Sequence, residues 1–124
     1  MNDLFDPLAD RRTVMRVMTR WIGLARADLP TVGLTALSVA EEHWVKDIPS
    51  DLLESRVACW RYLDAKNGNS TTIGDREDHA MRALICVLFD DEEDLGDRMG
   101  FAQAMLEALL IDPDALRAMA ADVP

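Results

Sequence analysis

The sequence predicts an all-α fold: one antiparallel helical bundle of about five main helices, followed by a short C-terminal helix. Three observations predict it. Apolar residues recur at helical spacing almost throughout the chain. No run of alternating β-branched residues makes a convincing strand. Proline, glycine and Asx residues punctuate the chain at intervals suited to short helix connections. With 124 residues the chain fits a single domain spanning 1–124, with residues 1–5 as a flexible N-terminus. A domain this long buries roughly two-thirds of the surface that its unfolded chain exposes.

The first helix is expected from Asp6, with Pro7 in the first turn, where its missing N–H costs nothing. Leu8, Met15, Met18, Ile22 and Ala25 share one face, and Val14 and Trp21 lie beside it. Val17 and Leu24 fall off that stripe. A helix with so wide an apolar face is either central in its bundle or buried in a partner, which motivates an expectation of a homodimer. The stretch from Asp28 to Gly33 breaks the pattern. A second helix follows over about Leu34 to Lys46, with Leu37, Ala40 and Trp44 inward, and Ile48-Pro49 ends it.

Ser50 or Asp51 caps the third helix, and Asp51 with Glu54 has capping-box spacing. Leu53, Val57, Trp60 and Leu63 follow, and Asn67-Gly68 is the stop, because glycine enters the left-handed region without a Cβ clash. The fourth helix should run from about Asp75 to Phe89 with Met81, Leu84, Ile85 and Leu88 inward. The fifth spans roughly Leu95 to Leu110, burying Met99, Met105, Leu106 and Leu109. Gly96 and Gly100, one turn apart, either admit a close helix or weaken the helix start. Asp112-Pro113 opens the terminal helix.

The formal net charge is −10. So acidic a surface repels phosphate backbones and anionic lipid, which argues against nucleic-acid and membrane partners and suits a basic protein. The N-terminus has no basic region leading into an apolar run, and no apolar stretch nears the ~20 residues of a membrane span. Cys59 and Cys86 form no CxxC motif or disulfide framework and read as buried, reduced thiols. Together these features predict a cytoplasmic protein.

The segment KNGNSTTIGDRED, Lys66 to Asp78, joins the third and fourth helices. Its ends are structural: Gly68 stops one helix, while Thr72 or Asp75 starts the next. Its middle carries more donors and acceptors than a turn needs. Asn67, Asn69, Ser70, Thr71 and Thr72 are therefore candidate partner-binding residues. Asn69-Ser70-Thr71 matches a glycosylation sequon, which carries no meaning in a chain that is not secreted. The acidic run Asp90, Asp91, Glu92, Glu93 and Asp94 is the second candidate contact surface. It does not fit a calcium loop, since Leu95 and Ala102 fall where ligands are required.

Arg12, Arg16 and Arg20 stack along one face of the first helix, and like charges at that spacing repel mildly. Either the chain's own acid compensates, above all Asp90 to Asp94, or an anionic partner does. A nucleic-acid regulator using this face would bind with steep salt dependence. His43 with Asp47, and Asp75 with His79, each sit four residues apart, so that two half-sites could make a metal centre. HExxH and the ExxH repeats of di-iron bundles are both absent, and no metal or other cofactor is expected. No GxGxxG, GxxxxGK[ST] or GxSxG is present and no catalytic residue is singled out.

No motif in the chain identifies a family. The expected function is that of a small acidic protein-binding protein without catalysis. Immunity-like proteins, regulators and chaperone-like adaptors share that build. The alternative is a small helical metal-binding protein or enzyme that uses His43, His79 and nearby carboxylates.

Overall fold

The computed structural model describes residues 11–69, 71–89, 95–109 and 114. Five α-helices form the bundle: α1 (Arg11–Gly23), α2 (Thr31–Ala40), α3 (Leu52–Asn67), α4 (Arg76–Ile85) and α5 (Leu95–Ala108). The described residues contain no strand, in keeping with the all-α prediction. The expected helix start at Asp6, the flexible segment 1–5 and the terminal helix opened by Asp112-Pro113 lie outside the described residues, apart from Asp114, which is helical.

α1 is the axle of the bundle. It packs against α2, α4, α5 and the turn that follows α2. Val14, Met15, Val17, Met18, Trp21 and Ile22 are all buried, so the widened apolar face is spent inside this chain. Thr19 is also fully buried, and its hydroxyl donates to the Met15 carbonyl at 2.7 Å, which satisfies it locally. Leu24, beyond the helix end, stays 45% exposed.

α2 begins three residues earlier than the sequence pattern suggests. Pro30 precedes its first turn, and its carbonyl accepts the first helical hydrogen bond from Leu34 N at 2.9 Å. Gly33 is not a breaker. It sits buried inside α2, where a Cβ would lie 2.8 Å from Met81 Sδ and 3.1 Å from Leu29 Cδ2. Glycine is there because α4 comes close, not because the chain turns.

Past Ala40 the helix widens into a π turn, Glu41–Val45, closed by Lys46 N to Glu41 O at 3.0 Å. Asp47 then takes a left-handed conformation with φ 59°, and Ile48 N donates to Glu42 O. The wide turn carries Trp44 into the core, where it is 1% exposed and its indole Nε1–H donates to the Val87 carbonyl at 2.8 Å. The two central tryptophans, Trp21 and Trp44, are both core residues, and Trp60 is half-buried.

α3 is capped as its sequence implies. Asp51 accepts from Glu54 N at 2.9 Å, and Gly68 closes the helix at φ 81°. Leu52, Cys59 and Leu63 are its buried residues. α4 starts at the Asp75 cap and ends as regular helix at Ile85. Residues 86 to 88 continue in tighter turns, each N–H reaching back three residues, with all three side chains buried. α5 buries Met99, Ala102 and Leu106, with Leu109 just beyond it, while Met105 is only partly covered. A Cβ at Gly96 or Gly100 would meet nothing among the described residues, so no described helix uses them for close approach.

The Trp44–Val87 bond joins the π turn to the end of α4 through the core. Replacing Trp44 with Phe is expected to lower unfolding stability by about 1–3 kcal/mol, because the buried Val87 carbonyl loses its donor. Urea denaturation followed by circular dichroism measures this, and an unchanged midpoint would show that the bond contributes nothing.

Candidate partner-binding site

The hairpin between α3 and α4 is built around one lysine. Lys66 Nζ lies 2.8 Å from Asp75 Oδ2, 3.0 Å from Glu77 Oε1 and 2.9 Å from Asp78 Oδ1. Asp78 is buried, and its oxygens also accept from Asn67 Nδ2 at 3.1 Å and Gly74 N at 2.9 Å. The Tyr62 hydroxyl donates to Glu77. Burial works against the Asp78 charge. The Gly74 N–H, Lys66 and Asn67 outweigh it and bring the carboxyl down to about 2. Burial likewise opposes the Lys66 charge, and its bonds to Asp75, Asp78 and Glu77 raise it above the ordinary lysine value. Asp75 is lowered by Lys66 and by the Asp78 N–H that it caps, and Tyr62 is raised by its bond to Glu77.

The surplus polar groups of this segment are mostly turned on each other. Asn69 Oδ1 accepts from the backbone N–H groups of Thr71 and Thr72 at 3.0 and 2.9 Å, and from both threonine hydroxyls at 2.9 Å. Arg82 donates to the Thr71 carbonyl at 3.2 Å. Of the candidate contact residues here, Asn67 is occupied by Asp78 and Asn69 by the turn itself, while Thr71 and Thr72 are exposed. Ser70 and the acidic run Asp90, Asp91, Glu92, Glu93 and Asp94 lie outside the described residues.

The arginine face of α1 has a partner that sequence reasoning missed. Arg12 Nη1 pairs with Asp47 and donates to the His43 carbonyl at 3.2 Å. Arg16 Nε donates to the Trp44 carbonyl at 2.9 Å, and its Nη2 reaches Asp47 Oδ1 at 3.3 Å. These carbonyls are the ones that the π turn leaves without a regular helical donor. His43 and Asp47 therefore do not form a half-site together: Asp47 faces the arginines, and His43 Nδ1 accepts from Ser50 N at 3.2 Å. His79 Nδ1 lies 2.8 Å from the Asp75 carbonyl. Among the described residues, no group of three or more His, Cys, Asp or Glu side chains is placed to hold a metal ion.

A concave surface lies elsewhere, between α2 and α3. Val32, Ala36, Val39 and Ala58 floor a groove of about 510 Å³, with Thr35, Ser50 and Ser55 on its walls and Glu42, Asp51 and Glu54 at its rim. The groove exists because the two helices meet through small side chains that leave space between them. The three rim residues are exposed and form no ion pair among the described residues, and no cation lines the groove. The available signal was α2 itself, whose apolar residues run round more than one side. Val32, Ala36 and Val39 make a second stripe beside the core stripe of Leu37 and Ala40.

On the other side of α3, arginines interleave with aromatics. Arg56 and Arg98 flank the Phe89 ring, with guanidinium carbons 4.1 and 4.8 Å from its centroid. Arg82 lies between Trp60 and Phe101, at 5.3 and 5.1 Å. Cys59 and Cys86 are buried, and burial pushes both thiols up to about 12. No described helix is long and apolar enough to cross a membrane. No family model, no curated protein and no solved structure matches the chain.

Two outcomes follow from these charges. Asp78 folds with its carboxyl below the ordinary value of 3.8, so its contribution is complete above that pH and is lost as pH falls through about 2. A denaturant series from pH 6 to pH 2 should lose about 2 kcal/mol through this group. In Asp78→Asn that part of the acid dependence should be missing, and an identical acid slope in both proteins would contradict it. The thiols should resist iodoacetamide at pH 8 in the native protein and react fully in urea. Rapid native labelling, read by mass spectrometry, would show either thiol to be accessible.

Proposed function

We propose that this protein is a non-catalytic adaptor of the cytoplasm that recognises a basic protein partner, as an immunity-like, regulator-like or chaperone-like binder does. One observation carries the reading: the α2–α3 groove combines an apolar floor with three carboxylates that form no ion pair among the described residues, and it has no cation in its lining. An apolar side chain of the partner would sit on Val32, Ala36, Val39 and Ala58, while its lysines or arginines meet Glu42, Asp51 and Glu54. The net charge of −10 would steer such a partner in from a distance and repel nucleic acid and anionic membrane. The exposed edge at Thr71 and Thr72, together with the acidic run Asp90 to Asp94, is proposed to extend the contact.

The test is calorimetry with an amphipathic lysine–leucine peptide and its glutamate–leucine counterpart. The lysine peptide should bind and weaken with salt, and the glutamate peptide should not bind. Combining Glu42→Gln, Asp51→Asn and Glu54→Gln should lower affinity about tenfold or more, with Asn retaining the α3 cap. Equal binding of the two peptides, or a triple variant that binds as well as the parent, would defeat the proposal.

A further inference from the structure

The chain has two histidines, and the structure sets them in opposite contacts. His79 Nδ1 lies 2.8 Å from the Asp75 carbonyl oxygen. A carbonyl only accepts, so this nitrogen carries a proton, and the contact persists whether the ring is neutral or cationic. His43 Nδ1 instead accepts from the backbone N–H of Ser50 at 3.2 Å. A backbone N–H only donates, so this nitrogen keeps its lone pair, and the ring is neutral with its proton on Nε2. A second proton would set N–H against N–H and break the contact.

What this contact holds is the connector between the π turn and α3. Ile48 N donates to Glu42 O at 2.8 Å, Pro49 has no N–H to give, and α3 starts at Leu52. The Ser50 N–H on His43 ties the chain between those points. Ser50 Oγ donates to the Ile48 carbonyl at 2.9 Å and lies 3.5 Å from Glu42 Oε2. Glu42, Ser50 and Asp51 all line the α2–α3 groove. The His43 ring is half-buried and lines a separate depression of about 390 Å³, beside Leu52, Leu53, Arg56 and Leu88, so it meets solvent outside the groove. Charged groups face its turn from the elements packed on it. α1 brings Arg12 and Arg16, the turn itself Glu41, Glu42, Lys46 and Asp47, and the start of α3 Asp51 and Arg56. α2 carries no charged residue, and the end of α4 meets the turn through Val87 and Leu88. Carboxylates and guanidiniums ordinarily keep their charge above about pH 5.5, so the imidazole is the group that changes state across neutral pH.

We infer that His43 is a proton-operated latch: its neutral ring holds the connector, and proton uptake releases Ser50 and loosens the groove wall at Ser50 and Asp51. The contact is whole at high pH and is lost as pH falls through the titration of the ring. A basic segment in the groove is then held at neutral pH and released in mild acid. This last step rests on the groove being the partner site, whereas the latch itself does not.

The experiment is an NMR titration of the full chain from about pH 7.5 to about pH 5.5, with hydrogen exchange of the Ser50 amide at both ends. The His43 ring and the Ser50 amide should titrate with one midpoint. Ser50 protection, corrected for the intrinsic exchange rate, should fall about fivefold or more. In His43→Asn, whose Oδ1 accepts in place of Nδ1 and takes up no proton, protection should be the same at both ends. His79→Asn should behave as the parent does. A Ser50 amide that ignores the titration of the ring would overturn the latch, and so would a fall in protection that persists in His43→Asn. The lysine–leucine peptide should bind the parent about fivefold more weakly at the acid end, and His43→Asn equally at both. Equal binding by the parent at both ends would overturn the control of the groove. If no peptide binds at either end while Ser50 still follows the ring, the partner reading fails and the latch stands.

Discussion

The π turn at Glu41–Val45 is the constraint from which most of the architecture follows. Widening the helix by one residue per turn rotates Trp44 into the core, where its indole reaches Val87. It also strips the His43 and Trp44 carbonyls of their regular donors. Arg12 and Arg16 of α1 replace those donors, and Asp47, forced into a left-handed conformation, supplies the balancing charge. One irregularity thus ties α1, α2 and the end of α4 together. The Arg12 guanidinium also lies 5.6 Å from the Trp44 ring centroid, so charge, backbone and aromatic contacts converge on a single residue.

Much of this was legible in the sequence, and the reasons are local. Asp51 and Asp75 cap helices, and Gly68 ends one, because each device needs only a few neighbouring residues. The buried faces of α1 and α4 follow from spacing alone. Gly33 and the π turn were not legible, since their causes are distant. Gly33 answers to Met81, 48 positions further along the chain, and the wide turn answers to a core cavity shaped for Trp44. The same holds for the arginine face, whose partner Asp47 is positioned by the turn and not by helical periodicity.

For the candidate site the contrast is sharper. Polar abundance drew attention to the hairpin at Lys66 to Asp78, yet most of that abundance is internal bonding around Lys66 and Asn69. A segment rich in donors and acceptors signals either recognition or self-sufficiency, and spacing does not separate the two. The groove gave the opposite impression. Its floor is valine and alanine, which in sequence resembles any helix core, and its rim carboxylates come from the π turn, the α3 cap and the first turn of α3. Concavity comes from side chains that are small at the point where two helices meet, and that meeting exists only in three dimensions.

The absence of a side chain at Gly33 has a mechanical meaning for recognition. With only a hydrogen between α2 and Met81, the inner wall of the groove rests directly on the core and has no slack behind it. An inward shift of α2 would press on Met81 and Leu29, and an outward one would open space against α4. The groove wall at Gly33 is therefore backed closely by the Met81 and Leu29 side chains. On the proposed function, a flexible segment docking there would fit itself to a wall already packed from behind, and much of the conformational entropy lost would be the guest's.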